Sequence, residues 1–161
     1  MATHSLTAAD WELWHSWMEA QRLVADGVDE ALRSEAGVSK AEFSILRTLG
    51  SAPEATLRVV ELAAALRWEK SRVAHLLTRM EHRGLIARIE DGAPGRRTAV
   101  RLSSDGRNAL REALHVHEKS VSRIFTGQLT NDQAAAIRSW SERIISAAAA
   151  PPSTRPPKES Q

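Results

Sequence analysis

The sequence predicts a mostly helical α+β fold, a series of amphipathic helices interrupted by one short β-hairpin. Three observations carry this reading. Apolar residues recur at helical spacing over most of the chain. Hydroxyl residues followed three positions later by an acid or amide mark helix starts at Thr7, Ser39 and Thr130. The period switches at 85–102, where two β-prone runs flank the turn-rich Asp91-Gly92-Ala93-Pro94-Gly95.

Residues 7–36 read as one long helix, with Thr7 as N-cap and Asp10 three residues on. Trp11, Trp14 and Met18 recur along it, as do Leu13, Trp17, Val24, Val28 and Leu32. So wide an apolar surface needs a partner surface. Gly27 is a point where this helix can bend or loosen, and Gly37 is its expected stop. Ser39-Lys40-Ala41-Glu42 is a capping box that opens a short helix carrying Phe43, Ile45, Leu46 and Leu49. Gly50 ends it, with Pro53 behind.

Residues 56–66 read as a second short helix. Trp68 interrupts, as a packing residue that sets the angle of the next helix, 69–83. That helix turns Val73, Leu76, Leu77 and Met80 inward, and Gly84 ends it. Strands 85–90 and 98–102 form the hairpin, with Arg96 and Arg97 beside its tip. Ser103 begins a helix running to about residue 125, with Leu110, Leu114, Val121 and Ile124 on its apolar side and Gly106 in its first turn. Thr130-Asn131-Asp132-Gln133 opens the last helix, with Ile137, Trp140, Ile144 and Ile145. The tail 151–161, with four prolines, cannot bury a core and is expected to be disordered.

The net charge of +2 hides an asymmetry. Residues 1–57 carry four Lys/Arg against nine Asp/Glu, whereas 67–107 carry ten against five. A local basic stretch is the electrostatic footprint of a polyanion binder, although a solvated face of mixed charge has the same composition. The absence of cysteine excludes disulfides, thiolate metal sites and thiol redox sensing. No apolar run approaches the ~18 residues that span a bilayer. Residues 1–10 lack the pattern of a signal peptide, so a cytoplasmic location is expected. No nucleophile elbow, glycine-rich phosphate loop or metalloprotease histidine pair suggests an enzyme, and no cofactor is implied.

Two short helices, a longer helix and a hairpin with a basic tip make a physically sensible reader of duplex DNA. An α-helix fits the major groove, about 12 Å wide, with its N-terminal turn toward base edges and its positive dipole end toward phosphate. Lys70, Ser71, Arg72 and His75 stand where they can reach bases or phosphates, and Arg79, further along, suits a phosphate. Arg96 can reach a neighbouring minor groove. Arg58 and Arg97 complete the candidate DNA-binding set.

The stretch from Gly37 to Leu129 resembles the MarR family of bacterial regulators. The resemblance rests on Val38 through Arg47, on Glu61-Leu62-Ala63 and Lys70-Ser71-Arg72-Val73, and above all on Arg79-Met80-Glu81-His82-Arg83-Gly84-Leu85-Ile86-Ala87-Arg88. Gly95-Arg96-Arg97, Val100-Arg101-Leu102-Ser103, Gly106 and Leu129-Thr130 follow in order. The resemblance implies a winged helix-turn-helix domain, 38–102, embedded in an intertwined helical homodimer. Residues 1–37 and 103–150 would be the dimerisation helices. It further implies a repressor that binds a near-palindromic double-stranded operator and is released by a small, often aromatic, ligand. Trp11, Trp14, His15 and Trp17 are the candidate pocket wall, although any of these tryptophans can equally be core or dimer interface. Pro94 stands where the family usually has an acid paired with the wing arginine, and Ser103 replaces the commoner Thr. The family's hydroperoxide-sensing branch needs a cysteine that this chain lacks. A metal-responsive reading would rest on His115 and His117, which do not share a helix face. The rival to DNA binding is a helical protein-interaction module with a structural hairpin. An exposed apolar patch in place of aligned cations would mark it.

Overall fold

The computed structural model describes residues 5–90 and 98–149. The hairpin tip with Asp91, Pro94, Arg96 and Arg97, and the tail 151–161, lie outside these residues. In chain order the elements are α1 (Ala8–Ala36), α2 (Lys40–Gly50), β1 (Thr56–Arg58), α3 (Val59–Leu66), α4 (Lys70–His82), β2 (Ile86–Glu90), β3 (Thr98–Leu102), α5 (Ser104–Ile124) and α6 (Asn131–Ala149). Single 3-10 turns stand at Pro53–Ala55 and Thr126–Gln128. The chain divides into two compact units, one through Phe125 and one from Thr126.

The helix starts follow the capping chemistry. The Asp10 N–H donates to Thr7 Oγ1 at 3.2 Å, and the Thr7 N–H donates to the Asp10 carboxylate at 2.8 Å. At the other end of α1, Gly37 takes the left-handed φ of 66° that glycine accepts without steric cost. Gly27, expected to bend or loosen α1, lies within one uninterrupted helix. Its role is space: a Cβ there would stand 2.8 Å from Ile124 Cδ1, so the glycine lets α5 pack close against α1.

The predicted helix over 56–66 is in fact two elements. Thr56, Leu57 and Arg58 form β1, antiparallel to β3 with Thr56 opposite Arg101, Leu57 opposite Val100 and Arg58 opposite Ala99. The helix begins only at Val59. The β-prone start of this run finds a strand partner some forty residues away, which local periodicity cannot reveal. Strand β2 pairs with the other edge of β3, giving the order β1-β3-β2.

The core of the first unit gathers Leu32 from α1, Ile45, Leu46 and Leu49 from α2, Leu62 from α3, Val73, Leu77 and Met80 from α4, and Val100 and Leu102 from β3. Ala113 and Val116 of α5 close it. Only the C-terminal part of α1, from Val28, reaches this core; Trp11, Leu13, Trp14, Trp17 and Met18 are 39–71% exposed. In the second unit, Thr130 caps α6 reciprocally with Gln133, and Trp140, Ile144 and Ile145 are exposed along it.

The junction of hairpin and helix leaves no spare volume. Ser103 Oγ accepts the Gly106 N–H at 2.9 Å, capping α5, and donates to the Gly84 carbonyl at 2.6 Å. A Cβ at Gly106 would stand 1.9 Å from the Leu85 carbonyl oxygen, a backbone atom that cannot swing aside. Gly106→Ala is therefore expected to destabilise the fold by about 2 kcal/mol or more through overpacking. The midpoint of urea unfolding measures this, and an unchanged midpoint would remove the close approach as a constraint.

Candidate nucleic-acid interface

The turn between α3 and α4 is closed by backbone alone. Arg67 takes a left-handed conformation (φ 53°, ψ 41°), and its N–H donates to the Ala64 carbonyl at 3.1 Å. The Trp68 N–H reaches the Ala63 carbonyl at 3.0 Å, completing a Schellman closure with a non-glycine residue in the strained position. The Trp68 side chain then packs, half-buried, against the core. Glu69 starts α4 with extended backbone, and its side chain makes no cap hydrogen bond. Among the described residues no side-chain cap meets the first-turn N–H groups of α4, at the positive end of the helix dipole.

Helix α4 has two faces. Val73, Leu77 and Met80 are buried at helical spacing, with Leu76 half-buried beside them. Ser71, His75, Thr78, Arg79 and His82 lie opposite and are exposed, and Lys70 and Arg72 are exposed in the first turn. Five of the expected DNA-binding residues therefore come together on one helix: Lys70, Ser71, Arg72, His75 and Arg79. Among the described residues none of Lys70, Arg72 and Arg79 forms an ion pair. The Arg72 guanidinium carbon instead sits 4.2 Å from the centroid of the Trp68 ring. Arg58 stands on other elements, ending β1 and preceding α3, where its N–H donates to Glu61 Oε2 at 2.9 Å. Arg96 and Arg97 lie outside the described residues.

Two contacts that sequence reasoning misses fix α4 in place. Arg88 on β2 donates from Nε to Glu81 at 2.9 Å and from Nη2 to Thr78 Oγ1 at 3.1 Å, strapping the hairpin to α4. Arg83, just past α4, donates from Nη1 to Glu42 Oε1 at 2.7 Å and from Nη2 to the Gly37 carbonyl at 2.7 Å. The other Glu42 oxygen accepts the Ser39 N–H at 2.8 Å and the Ser39 hydroxyl at 2.9 Å. Burial pushes the Glu42 carboxyl up, but the Ser39 donors and the Arg83 guanidinium outweigh it and hold it below its ordinary value. The capping box at 39–42 is the only local signal, and it gives no hint of a partner forty-one residues away.

The aromatic set on α1 is ordered along the helix. Trp11 stacks on His15 with ring centroids 5.8 Å apart, and Trp14 tilts against Trp17 at 5.7 Å. His15 borders a shallow hollow with Met18, Glu19, Gln21, Arg22 and Ala25; the tryptophans do not line it. His117 of α5 tilts against Phe43 at 5.0 Å, and burial and then Arg47 keep it below the usual histidine range. No group of three or more His, Cys, Asp or Glu among the described residues is placed to hold a metal. No helix among them is long and apolar enough to cross a membrane.

A family model described as the MarR family matches residues 36–97. The transcriptional regulator HosA of Escherichia coli is 31% identical over 96 residues, spanning 60% of this chain and 69% of the relative. The crystal structure of AbsC, a MarR family transcriptional regulator from Streptomyces coelicolor, superposes with a TM-score of 0.78 at 25% identity, covering 91% of this chain and 98% of AbsC. A second MarR family regulator of that organism, solved in complex with DNA, gives a TM-score of 0.78 at 27% identity, covering 93% and 94%.

The Glu42 site has a pH signature. A carboxyl held below its unfolded value of 4.5 contributes stability that is complete above that pH and is lost as pH falls toward the folded value. Wild-type protein should lose more stability than Glu42→Gln on acidification below pH 4.5, read from urea midpoints across a pH series. Arg83→Ala should cost about 1–2 kcal/mol at neutral pH, at the low end for a charged hydrogen bond because Arg83 is half exposed. Parallel acid profiles for wild type and Glu42→Gln would show that this carboxylate is not a linkage site.

Proposed function

The chain belongs to the MarR family of transcriptional regulators, and from that membership we propose that it reads double-stranded DNA sequence-specifically, as a homodimeric repressor. The observation that carries the reading is the exposed face of α4. It presents Lys70, Arg72 and Arg79 with Ser71 and His75, and no large apolar side chain of α4 is exposed. A surface built to dock a protein would put apolar groups there. In the major groove, the first turn of α4 would address base edges while Arg79 meets a phosphate. Arg58 at the start of α3 suits a backbone contact. Arg96 and Arg97, which immediately precede β3, would supply the wing contact.

The homodimer is supported by large apolar side chains exposed among the described residues. The N-terminal half of α1 exposes Trp11, Leu13, Trp14 and Trp17, and α6 exposes Ile144 and Ile145. Segments 1–37 and 103–150 are thus the proposed dimerisation helices, even though α1 from Val28 onward also builds the core of its own unit. A two-fold dimer reads a near-palindrome, with its two α4 helices about one DNA turn apart. Release by a small aromatic effector at Trp11, Trp14, His15 and Trp17 is the regulatory part of the proposal. A cytoplasmic location goes with it.

Selection from a random duplex library, with sequencing of the bound DNA and isotherms at several salt concentrations, tests the reading. The expected result is a near-palindrome, with log affinity falling linearly in log salt. Arg79→Ala should weaken binding to all sequences alike and reduce the salt slope by about one. No enrichment, with weak binding indifferent to salt, would transfer the reading to the protein-interaction module. The chain without residues 151–161 is expected to sediment as a dimer, and a monomer would contradict the assigned dimerisation helices.

A further inference from the structure

We infer that Trp68 is a specificity-determining positioning residue: its indole holds the Arg72 guanidinium ready to read a guanine. The inference rests on the DNA-binding reading of α4 and deepens it. It begins with how firmly Trp68 is held. Its N–H is bonded to the Ala63 carbonyl, which fixes its backbone at the end of the Schellman turn. Its side chain packs against the core that contains Val73 and Leu77. Trp68 stands just before the N-cap of α4 and Val73 four positions into it, the spacing of a hydrophobic staple. The ring is therefore a platform rigid with the core, while its half-exposed part faces the first turn of α4.

Arg72 lies in that first turn, with its guanidinium 4.2 Å over the ring. An arginine in solution samples many rotamers, a freedom that a groove contact must suppress. A cation resting on an aromatic face spends none of its N–H donors on the contact, so the five donors of the fork stay available. Among the described residues no carboxylate competes for them. The geometry thus meets both requirements of bidentate recognition: a planar fork held in advance and unsatisfied N–H edges. Guanine, with O6 and N7 side by side in the major groove, is the base that such a fork recognises. Among the described residues neither Lys70 nor Arg79 has such a platform, and both fit the less discriminating role of phosphate contacts.

The test repeats the library selection with wild type, Trp68→Leu, Trp68→Phe, Arg72→Ala and the double variant Trp68→Leu/Arg72→Ala, with melting temperatures alongside. Wild type should show a guanine in each half-site whose preference Arg72→Ala abolishes. Trp68→Leu should weaken that one preference about 3- to 30-fold, the range of a cation–π contact, with the salt slope unchanged. Trp68→Phe, which keeps a π face, should restore most of it. In the double variant, losing Trp68 should add nothing at that position. Equal weakening across all sequences in Trp68→Leu would make Trp68 a core anchor only and overturn the inference. So would a Trp68→Phe variant no better than Trp68→Leu. Should Trp68→Leu fail to fold, Trp68→Met, a longer apolar side chain without a π face, takes its place with the same two outcomes. A wild-type library without enrichment would defeat the DNA-binding reading itself, a different result from an enriched library in which Trp68 variants match wild type.

Discussion

The buried carboxylate of Glu42 ties together the end of α1, the start of α2 and the end of α4. One oxygen closes the capping box that starts α2; the other accepts the guanidinium of Arg83 at the end of α4. Arg83 also reaches the Gly37 carbonyl, where α1 has just ended in a left-handed turn. Three helix termini therefore meet on one ion pair. A carboxylate only 4% exposed would be costly if unpaired, so the geometry of the pair constrains all three termini at once. Apolar packing is non-directional and tolerates sliding; this junction does not. It gives α4, the helix that carries the exposed cations, a defined position relative to the helix pair beneath it.

The rest of the site follows from that anchoring. With its C-terminal end held by Arg83, its apolar stripe in the core and Thr78 and Glu81 strapped to Arg88 of β2, α4 is constrained along its length. The hairpin is fixed in turn where α5 presses on it, because Gly106 lets the helix meet the Leu85 carbonyl directly. Rigid placement suits recognition, since side chains held in place beforehand lose less entropy when they bind. The N-terminal half of α1 is built on the opposite principle. Trp11 stacks on His15 and Trp14 tilts against Trp17, and all three tryptophans keep 39–49% of their surface exposed.

Much of the candidate site is legible in the sequence. The exposed polar face of α4 and the buried Val73, Leu77 and Met80 are two readings of one helical period. Contacts across chain distance are not legible there. Arg83 reads as the last residue of a helix and Glu42 as a capping partner, and nothing local links them. Arg88 reads as a strand residue, and its grip on Thr78 depends on how hairpin and helix cross. Trp68 reads as the residue that sets the angle of α4, and it packs where that role requires. Its stacking against Arg72 needs the turn conformation of Arg67, which propensity alone would not assign to an arginine.

The sequence by itself determined the helical series, the hairpin, the caps at Thr7, Ser39, Ser103 and Thr130, and the stop at Gly37. Each depends on residues within a turn or two of one another, so local stereochemistry and spacing suffice. Tertiary structure alone decided that Thr56–Arg58 leaves its helix to become the third strand, because the hydrogen bonds that make it a strand come from β3. It alone decided that Gly27 and Gly106 are places of close approach, because the atoms nearest a Cβ there belong to the Ile124 side chain and the Leu85 backbone. And it alone chose Arg83 as the partner of Glu42. Buried polar groups take partners by proximity in space, and only the folded chain creates that proximity.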